Sequence, residues 1–212
     1  MPKHQIREFA KSIQIPYLIH FTRTDNLASI LQHGIYPVDK FGEISTNPII
    51  NDLLRLDGHL DGVSISITFP NCQMFYKYRK ADPVVSWSVL VIKPAILWKK
   101  DCAFCKHNAA DGRMICQPLA VLKTPQSLRD IYCEIDGFRS RDAQRLKEYD
   151  PTDVQAEVLV FDKIEPEYIA AVVFDSNEAK NNFAEQVGDR KTHVHPPNKG
   201  LFATRTYVRE YC

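Results

Sequence analysis

A carboxylate lies inside an apolar β-strand pattern in the segment DVQAEVLV, residues 153–160. Successive side chains in a strand point to opposite faces, so alternate residues from Val154 to Val160 share the core face and Glu157 lies on the other. A buried carboxylate is costly unless it has partners. Beside a cleft, a carboxylate can stabilise a developing positive charge or accept a proton from a nucleophile. Glu157 is therefore the first candidate catalytic residue.

A histidine and a threonine end a short strand in LIHFTRTDNLASILQHGI, residues 18–35. The pattern predicts a helix over residues 25–33, with Thr24 as its cap and Gly34 as its C-terminal stop. His20 at the end of that strand is a candidate binding residue. A histidine that is simply part of the core is the competing interpretation.

Aromatic and basic residues alternate in FPNCQMFYKYRK, residues 69–80, just after a predicted strand. The aromatic residues are Phe75, Tyr76 and Tyr78, and the basic ones are Lys77, Arg79 and Lys80. Aromatic faces and cations suit a flat heteroaromatic ring and its phosphates. The alternative is a solvated basic turn that covers apolar surface.

A basic run precedes Glu157 in GFRSRDAQRLKEYDPTDVQAE, residues 137–157. Its cations are Arg139, Arg141, Arg145 and Lys147. The whole chain has a formal charge of only +1, so any binding of nucleic acid must depend on a local patch such as this one. A solvated face is the alternative interpretation of the run.

Cysteines and a histidine cluster in CAFCKH and just beyond it, at Cys102, Cys105, His107 and Cys116. The first pair has the spacing of a zinc knuckle. A second clear pair is missing, so we expect reduced thiols and no metal.

The chain has 212 residues, which suits a single domain spanning residues 1–212. Helices and strands alternate without a regular βαβ order, which predicts an α+β fold with a central mixed or antiparallel sheet. Helices are predicted at the N-terminus and at 25–33, 124–135 and 177–187, and strands at 62–69, 83–92, 154–161, 168–174 and 203–208. No apolar run is long enough to span a membrane and no signal peptide is recognised, so we expect a cytoplasmic protein.

In this order, these segments resemble the DarT family of toxin ADP-ribosyltransferases. The IHFTRTDNLASILQHGI segment resembles the family's His-x-Thr strand end and the helix that follows it. The FPNCQMFY, HNAA and QAEVLV segments resemble three further family elements, the last of which carries the catalytic glutamate. The likeness covers roughly residues 16–161, and is closer to the guanine-directed branch than to the thymidine-directed one.

The resemblance implies an ADP-ribosyltransferase-like fold and transfer of ADP-ribose from NAD to a base of single-stranded DNA. It implies that the chain is the toxin of a toxin–antitoxin or phage-defence system, whose antitoxin removes ADP-ribose, and that it is a monomer. It assigns catalysis to Glu157 and Arg55, NAD binding to His20, Thr22, Asn26, Tyr76 and Arg79, and nucleic-acid binding to Arg139, Arg141, Arg145 and Lys147.

Three alternatives remain open at this point. An enzyme of the same fold could modify RNA, since nothing in the sequence distinguishes ribose from deoxyribose. A tRNA 2′-phosphotransferase shares the His-x-Thr start but would not need Glu157. A non-catalytic binding module would be expected to have lost Glu157 or His20, and the sequence has both.

Overall fold

A seven-stranded sheet forms the centre of the protein. A computed structural model describes residues 2–50 and 56–211 of the chain. The strand order is β4-β5-β2-β1-β3-β6-β7, and every pairing is antiparallel except the parallel pairing of β6 with β7. The strands are β1 (Leu18–Arg23), β2 (Val63–Ile67), β3 (Trp87–Ile92), β4 (Cys102–Cys105), β5 (Glu157–Val160), β6 (Ile169–Phe174) and β7 (Lys191–Val194).

Short helices surround the sheet. The α-helices are α1 (Pro2–Ser12), α2 (Leu27–His33), α3 (Cys72–Ala81), α4 (Ile96–Lys99), α5 (Gly112–Ile115), α6 (Leu119–Leu122), α7 (Pro125–Asp130), α8 (Asn177–Asn182), α9 (Ala184–Val187) and α10 (Arg205–Tyr211). Short 3₁₀ turns occupy Thr24–Asn26, Val38–Glu43, Pro166–Tyr168 and Gly200–Phe202. Among the described residues, no helix has the length and apolar character needed to cross a membrane.

Both faces of the sheet are buried along β3, β5 and β6, so residues of either parity there are mostly apolar, whereas the edge strand β7 is partly exposed. The largest cluster contains Val158 and Val160 of β5 and packs against α1, α2 and α7. Leu159, which points the other way, belongs to a smaller cluster with Cys105 of β4. The predicted alternation along β5 is therefore confirmed, and Glu157 has the parity of Leu159.

The sheet splits between its two central strands. β1 pairs with β3 over six residues, from Leu18 to Arg23. On its other edge β1 pairs with β2 only at Leu18 and Ile19. Beyond Ile19 the two strands separate, which leaves a gap at the centre of the sheet where a ligand can bind.

Most predicted elements are confirmed, with shorter bounds. The α+β class, the mostly antiparallel sheet and the helix that ends at Gly34 are as expected; Gly34 has φ 99°, which favours glycine. Thr24 is not a helix cap, since its hydroxyl contacts Ser86 and Ser88 of the neighbouring strand region. The helix expected at 177–187 is broken in two, α8 and α9.

The expected strand at 203–208 is wrong, because these residues contribute to helix α10. The helix places Arg205 and Arg209 four residues apart on one face. Arg205 is buried and donates to the carbonyl oxygens of Pro151 and Thr152. Arg209 is partly exposed and contacts the Asp150 carboxylate of the same segment. The even spacing of the two arginines fits a strand as well as a helix, so the pattern from 203 to 208 did not distinguish them.

Asp150 ties the C-terminal helix to the rest of the fold. Its carboxylate is fully buried and accepts bonds from Arg209 Nε and Nη2, both at 2.7 Å. It also accepts from the Thr68 hydroxyl at 2.9 Å and from the Lys147 amide at 2.9 Å. Burial alone would raise the pKa of Asp150, but these donors outweigh it and the pKa is lowered. One carboxylate thus joins α10, the end of β2 and the segment that leads to β5.

We predict that Asp150→Asn lowers the free energy of unfolding by about 3–5 kcal/mol, because it leaves Arg209 without its buried counter-charge. Since the folded pKa is lowered, the stabilisation is complete above about pH 4 and is lost as pH falls through the folded pKa. Urea unfolding between pH 2.5 and pH 7 measures both effects. Asp142→Asn, an exposed change in the preceding loop, is the control; an equal loss in both variants would contradict the prediction.

Candidate active site

The cleft at the split in the sheet brings together the candidate residues of β1 and β5. It encloses about 1220 Å³, including its solvent-open part. His20 and Thr22 of β1 line one side, and Val63 and Ser64 of β2 line the other. Glu157 lies beyond β2 and also lines the cleft. Residues far apart in the chain therefore meet at one concave site, as the sequence predicts for His20 and Glu157.

Two N–H donors hold the Glu157 carboxylate, whose residue is only 6% exposed. Asn108 Nδ2 donates to Oε1 at 2.8 Å, and the Ala109 amide donates to Oε2 at 3.1 Å. The Asn108 side chain is itself held by the Ala110 amide at 3.0 Å. These bonds offset the cost of burying a charge and fix the orientation of the carboxylate.

A buried histidine–aspartate pair connects the segment that carries Asn108 to the segment that precedes β5. His107 Nδ1 lies 2.8 Å from Asp153 Oδ2, and both side chains are buried. Asp153 Oδ1 accepts from the Gln155 amide at 2.9 Å. Because His107 precedes Asn108 and Asp153 precedes β5, the pair links the donor segment to the strand that carries Glu157. Its role is positioning.

The three residues expected from the His-x-Thr segment all line the cleft. His20 Nδ1 lies 3.0 Å from the Ser64 carbonyl oxygen, so the imidazole bridges the split between β1 and β2. The Thr22 hydroxyl accepts from Asn26 Nδ2 at 3.0 Å. Asn26 also exchanges two bonds with the backbone of Ile49, at 2.8 and 2.9 Å. Asn26 thus fixes the loop over the cleft.

An apolar loop covers one end of the cleft. The Ser29 and Thr46 hydroxyls lie 2.6 Å apart and add a second link between this loop and α2. The loop residues that line the cleft are Val38, Phe41, Ile44, Pro48, Ile49 and Ile50. Asp57, just beyond the undescribed stretch 51–55, lines it as well. Arg55, expected to be catalytic, lies outside the described residues.

Tyr76 and Arg79 do not reach the cleft, so the structure does not support their expected NAD contacts. Residues 69–80 were expected only to follow a strand, with a solvated turn as the alternative interpretation, but most of them form helix α3, which Asn71 caps by accepting from the Met74 amide at 3.1 Å. The cleft face of this helix presents Asn71, Met74 and Tyr78. Tyr76 and Arg79 lie on the opposite face.

Helical spacing was the signal that could have identified these missed cleft residues. Asn71, Met74 and Tyr78 are three and four apart, which places them on one side of a helix. An asparagine just before such a run is also a preferred N-cap. Arg79 instead donates to the Phe202 carbonyl oxygen at 2.7 Å and lies over the Phe75 ring. Burial, its largest influence, lowers the pKa of Arg79.

The basic run is divided between structural and exposed cations. Arg141 donates to the Asp150 carbonyl oxygen at 2.8 Å and to the Thr152 hydroxyl at 2.9 Å. Arg139 and Arg145 contact Glu210 of α10 at 3.5 and 3.1 Å, while remaining exposed. Lys147 is exposed too. Arg141 therefore holds the loop, and the other three present charge to solvent.

The zinc alternative fails on strand geometry. Cys102 and Cys105 are three residues apart on β4, so their side chains lie on opposite faces and belong to different clusters. Burial raises the pKa of each thiol to about 12, with the Glu157 charge adding to the rise at Cys105. His107 is engaged by Asp153, and Cys116 is exposed. In residues 2–50 and 56–211, no three His, Cys, Asp or Glu side chains could share a metal ion.

The arrangement suits stabilisation of a cation next to a bound nucleotide. A fixed carboxylate stabilises positive charge without first reorganising. The cleft has an apolar covering and polar groups at a few points, as small-molecule sites commonly do.

Known structures share this fold at low sequence identity. A Thermosipho africanus DarTG in complex with ADP-ribose is 17% identical with a TM-score of 0.56; the match covers 90% of this chain and 51% of that one. This chain therefore spans about half the length of that protein. A Thermus sp. 2.9 DarT in complex with ADP-ribosylated ssDNA is 14% identical with a TM-score of 0.56, over 86% of this chain and 95% of that one.

The same Thermus sp. 2.9 DarT in complex with NAD+ is 13% identical with a TM-score of 0.54, over 86% of this chain and 96% of that one. No curated protein sequence matches this chain. A family profile, however, matches residues 19–200, which include both strands that meet at the cleft. The chain belongs to the DarT family, described as ssDNA thymidine ADP-ribosyltransferase.

Proposed function

We propose that this protein transfers ADP-ribose from NAD to a base of single-stranded DNA. The observation that carries the proposal is Glu157, fixed by Asn108 and the Ala109 amide in the cleft that His20 also lines. Membership of the DarT family supports the reaction class. The related structures contain NAD+ and ADP-ribosylated ssDNA. The protein acts as the toxin of a pair whose antitoxin removes ADP-ribose.

NAD binds in the cleft with its adenosine ribose near His20 and Thr22. These side chains lie on the strand that borders the split, so the dinucleotide lies along that strand. The apolar loop anchored by Asn26 covers the bound NAD and excludes water from it. Arg55, to which the resemblance assigns a catalytic role, lies in the undescribed part of this same connection.

The edge of β1 that faces the gap offers backbone groups to the nicotinamide. The Tyr17 carbonyl oxygen accepts a hydrogen bond from the Thr68 amide, on the β2 side of β1. The Thr24 amide donates to the Ser86 carbonyl oxygen, on the β3 side. Because backbone groups of alternate residues face alternate neighbours, the N–H and C=O of Phe21 point into the gap. A carboxamide has one donor group and one acceptor, which matches this pair.

Glu157 acts on the reacting ribose. The bond between the ribose C1′ and the nicotinamide nitrogen breaks, and neutral nicotinamide leaves with the electron pair. The carboxylate stabilises the resulting ribose cation through the 2′-OH. A lone pair on the DNA base then attacks C1′, and the proton released from the base is transferred to Glu157. Single strands are favoured because the base need not be unstacked.

The direct test is incubation with NAD and short oligonucleotides, followed by mass spectrometry. Four single-stranded DNAs, each with one type of acceptor base in an otherwise constant abasic strand, identify the base. The sequence resemblance predicts guanine, whereas the family description names thymidine. An RNA of each sequence and a 2′-phosphorylated RNA test the two alternative enzymes. Modification of RNA alone would overturn the DNA assignment.

Glu157→Gln should reduce transfer by at least about 100-fold, since it removes the negative charge at the ribose while keeping the side-chain volume. The melting temperature should fall modestly, because the glutamine amide can accept only one of the two N–H bonds that the carboxylate accepts. Glu165→Gln is the matched control: this carboxylate contacts Lys100 and does not line the cleft. Rates near those of the parent in Glu157→Gln would disprove the catalytic assignment.

NAD should stabilise the folded protein by about 2.7 kcal/mol at a concentration 100 times its Kd, and should therefore raise the melting temperature. His20→Ala should shrink this shift because His20 lines the cleft. Tyr76→Ala should leave the shift unchanged, since Tyr76 lies on the opposite face of α3. Differential scanning fluorimetry with and without NAD measures both. If Tyr76→Ala loses the shift and His20→Ala keeps it, NAD contacts Tyr76, as the resemblance implied, and does not bind beside His20 in the cleft.

Charge reversal at Arg139 and Lys147 should weaken transfer to DNA while sparing hydrolysis of NAD by water, because neither side chain lines the cleft. Each phosphate contact removed should reduce the slope of log K against log salt by about 0.7. Lys191→Glu, on the exposed face of β7, is the control. Arg141→Ala should instead lower the melting temperature. Unchanged transfer by the double variant would exclude this loop from the DNA site.

A further inference from the structure

A second pocket lies across helix α3 from the cleft. Helix α3, the 3₁₀ turn Gly200–Phe202 and helix α10 enclose it. Its lining residues are Cys72, Tyr76, Arg79, Asn198, Lys199, Phe202, Ala203, Thr204 and Tyr207. The sequence had singled out Tyr76 and Arg79, and the proposed reaction uses neither of them.

Three tyrosines on and beside this pocket are exposed. Tyr76 is 52% exposed, Tyr207 39% and Tyr211 73%. The Tyr207 and Tyr211 rings lie 5.5 Å apart, one helical turn from each other on α10. Lys199 Nζ lies 5.9 Å from the centre of the Tyr207 ring, and Lys80 is one turn along α3 from Tyr76. We call these five residues the tyrosine surface.

The tyrosine surface is continuous with the basic loop. Arg139 and Arg145 both contact Glu210, which is the neighbour of Tyr211 on α10. Arg139 contacts the Glu210 carboxylate, whereas Arg145 donates to the Glu210 backbone carbonyl oxygen. Lys199 lines the pocket and is exposed, as are Lys80 on α3 and Lys147 of the basic loop, whose amide is bonded to the Asp150 carboxylate that α10 also contacts.

Tyrosine rings interleaved with cations fit a single strand of nucleic acid. Bases stack on aromatic side chains whatever their sequence, and lysines contact the phosphates between them. A helix is about 10 Å across with its side chains, so a strand whose acceptor base enters the cleft needs only a few more nucleotides to pass over α3. A duplex cannot use the rings, because its bases are already stacked.

We propose that the tyrosine surface binds the nucleotides that flank the acceptor base of single-stranded DNA. Tyr76 and Tyr207 stack on flanking bases, and Lys80 and Lys199 contact their phosphates. This proposal rests on the proposed function, because the acceptor strand must already reach the cleft. The surface sets the length of strand that the enzyme prefers and takes no part in the chemical step.

The test compares the shortest modified oligonucleotide with two extended ones. One extension carries bases and the other is abasic, so only the first can stack. The parent should show a lower KM with the base-carrying extension than with the abasic one. Tyr76→Leu combined with Tyr207→Leu should raise KM for the base-carrying strand by roughly fivefold or more and remove its advantage, while the rate on the shortest strand is unchanged.

Tyr168→Leu is the matched control. Tyr168 also has a lysine above its ring, with Lys99 Nζ 5.8 Å from the ring centre, but it lies in the 3₁₀ turn that precedes β6 and does not line this pocket. Melting temperatures of all variants verify folding, and Lys199→Glu offers a second, surface-only change. If the double variant keeps the base-dependent advantage, or if Tyr168→Leu loses it equally, the proposal is wrong.

Binding is measured separately from transfer, by fluorescence anisotropy of labelled oligonucleotides. The protein could bind longer strands more tightly, lose this preference when the tyrosines are changed, and yet modify no DNA. This result would overturn the proposed function and support the proposed role of the tyrosine surface. If transfer is normal and binding does not depend on the tyrosines, the proposed role of the tyrosine surface is wrong and the proposed function stands. A surface that binds a protein partner and no DNA would produce this second result.

Discussion

The cleft depends on one break in backbone hydrogen bonding. β1 keeps six paired residues with β3 but only two with β2, so the sheet opens at its centre without losing its other edge. Unpaired backbone groups at that point would be costly in a closed core. In the open gap they face a ligand site instead. The same break places His20, on one side, within reach of the Ser64 carbonyl oxygen on the other.

A wide gap beside a buried carboxylate requires rigid support, which the segment before β5 provides. The backbone from Asp150 to Thr152 is held by three arginines, Arg141, Arg205 and Arg209, through its carbonyl oxygens and the Asp150 carboxylate. Five residues later the chain reaches Glu157. Much of the positive charge near this region therefore serves the fold, and only the exposed cations remain for a ligand.

Strand alternation and capping are local signals, and they were sufficient for the fold class and for most elements. That His20 and Glu157 line one cleft was expected from the family resemblance, because no local signal relates residues so far apart in the chain. The NAD contacts expected for Tyr76 and Arg79 did not take the helix into account: no helix was predicted for this segment, and α3 turns these two side chains away from the cleft. Arg139 and Arg141 were also treated as equivalent. Whether an arginine binds a ligand or a backbone carbonyl depends on residues distant in the chain, such as Thr152, and no local pattern records them.

The position of Glu157 follows from two independent links that converge on it. The strand arrives from Asp150, and the donors arrive with Asn108 from the end of β4. The His107–Asp153 pair joins these two segments, so a shift of either one moves the other. With a single support, only one of the two segments would restrain the carboxylate beside the gap. Two supports joined by a buried pair keep its oxygens fixed, which is the condition under which a carboxylate stabilises a transition state more than a ground state.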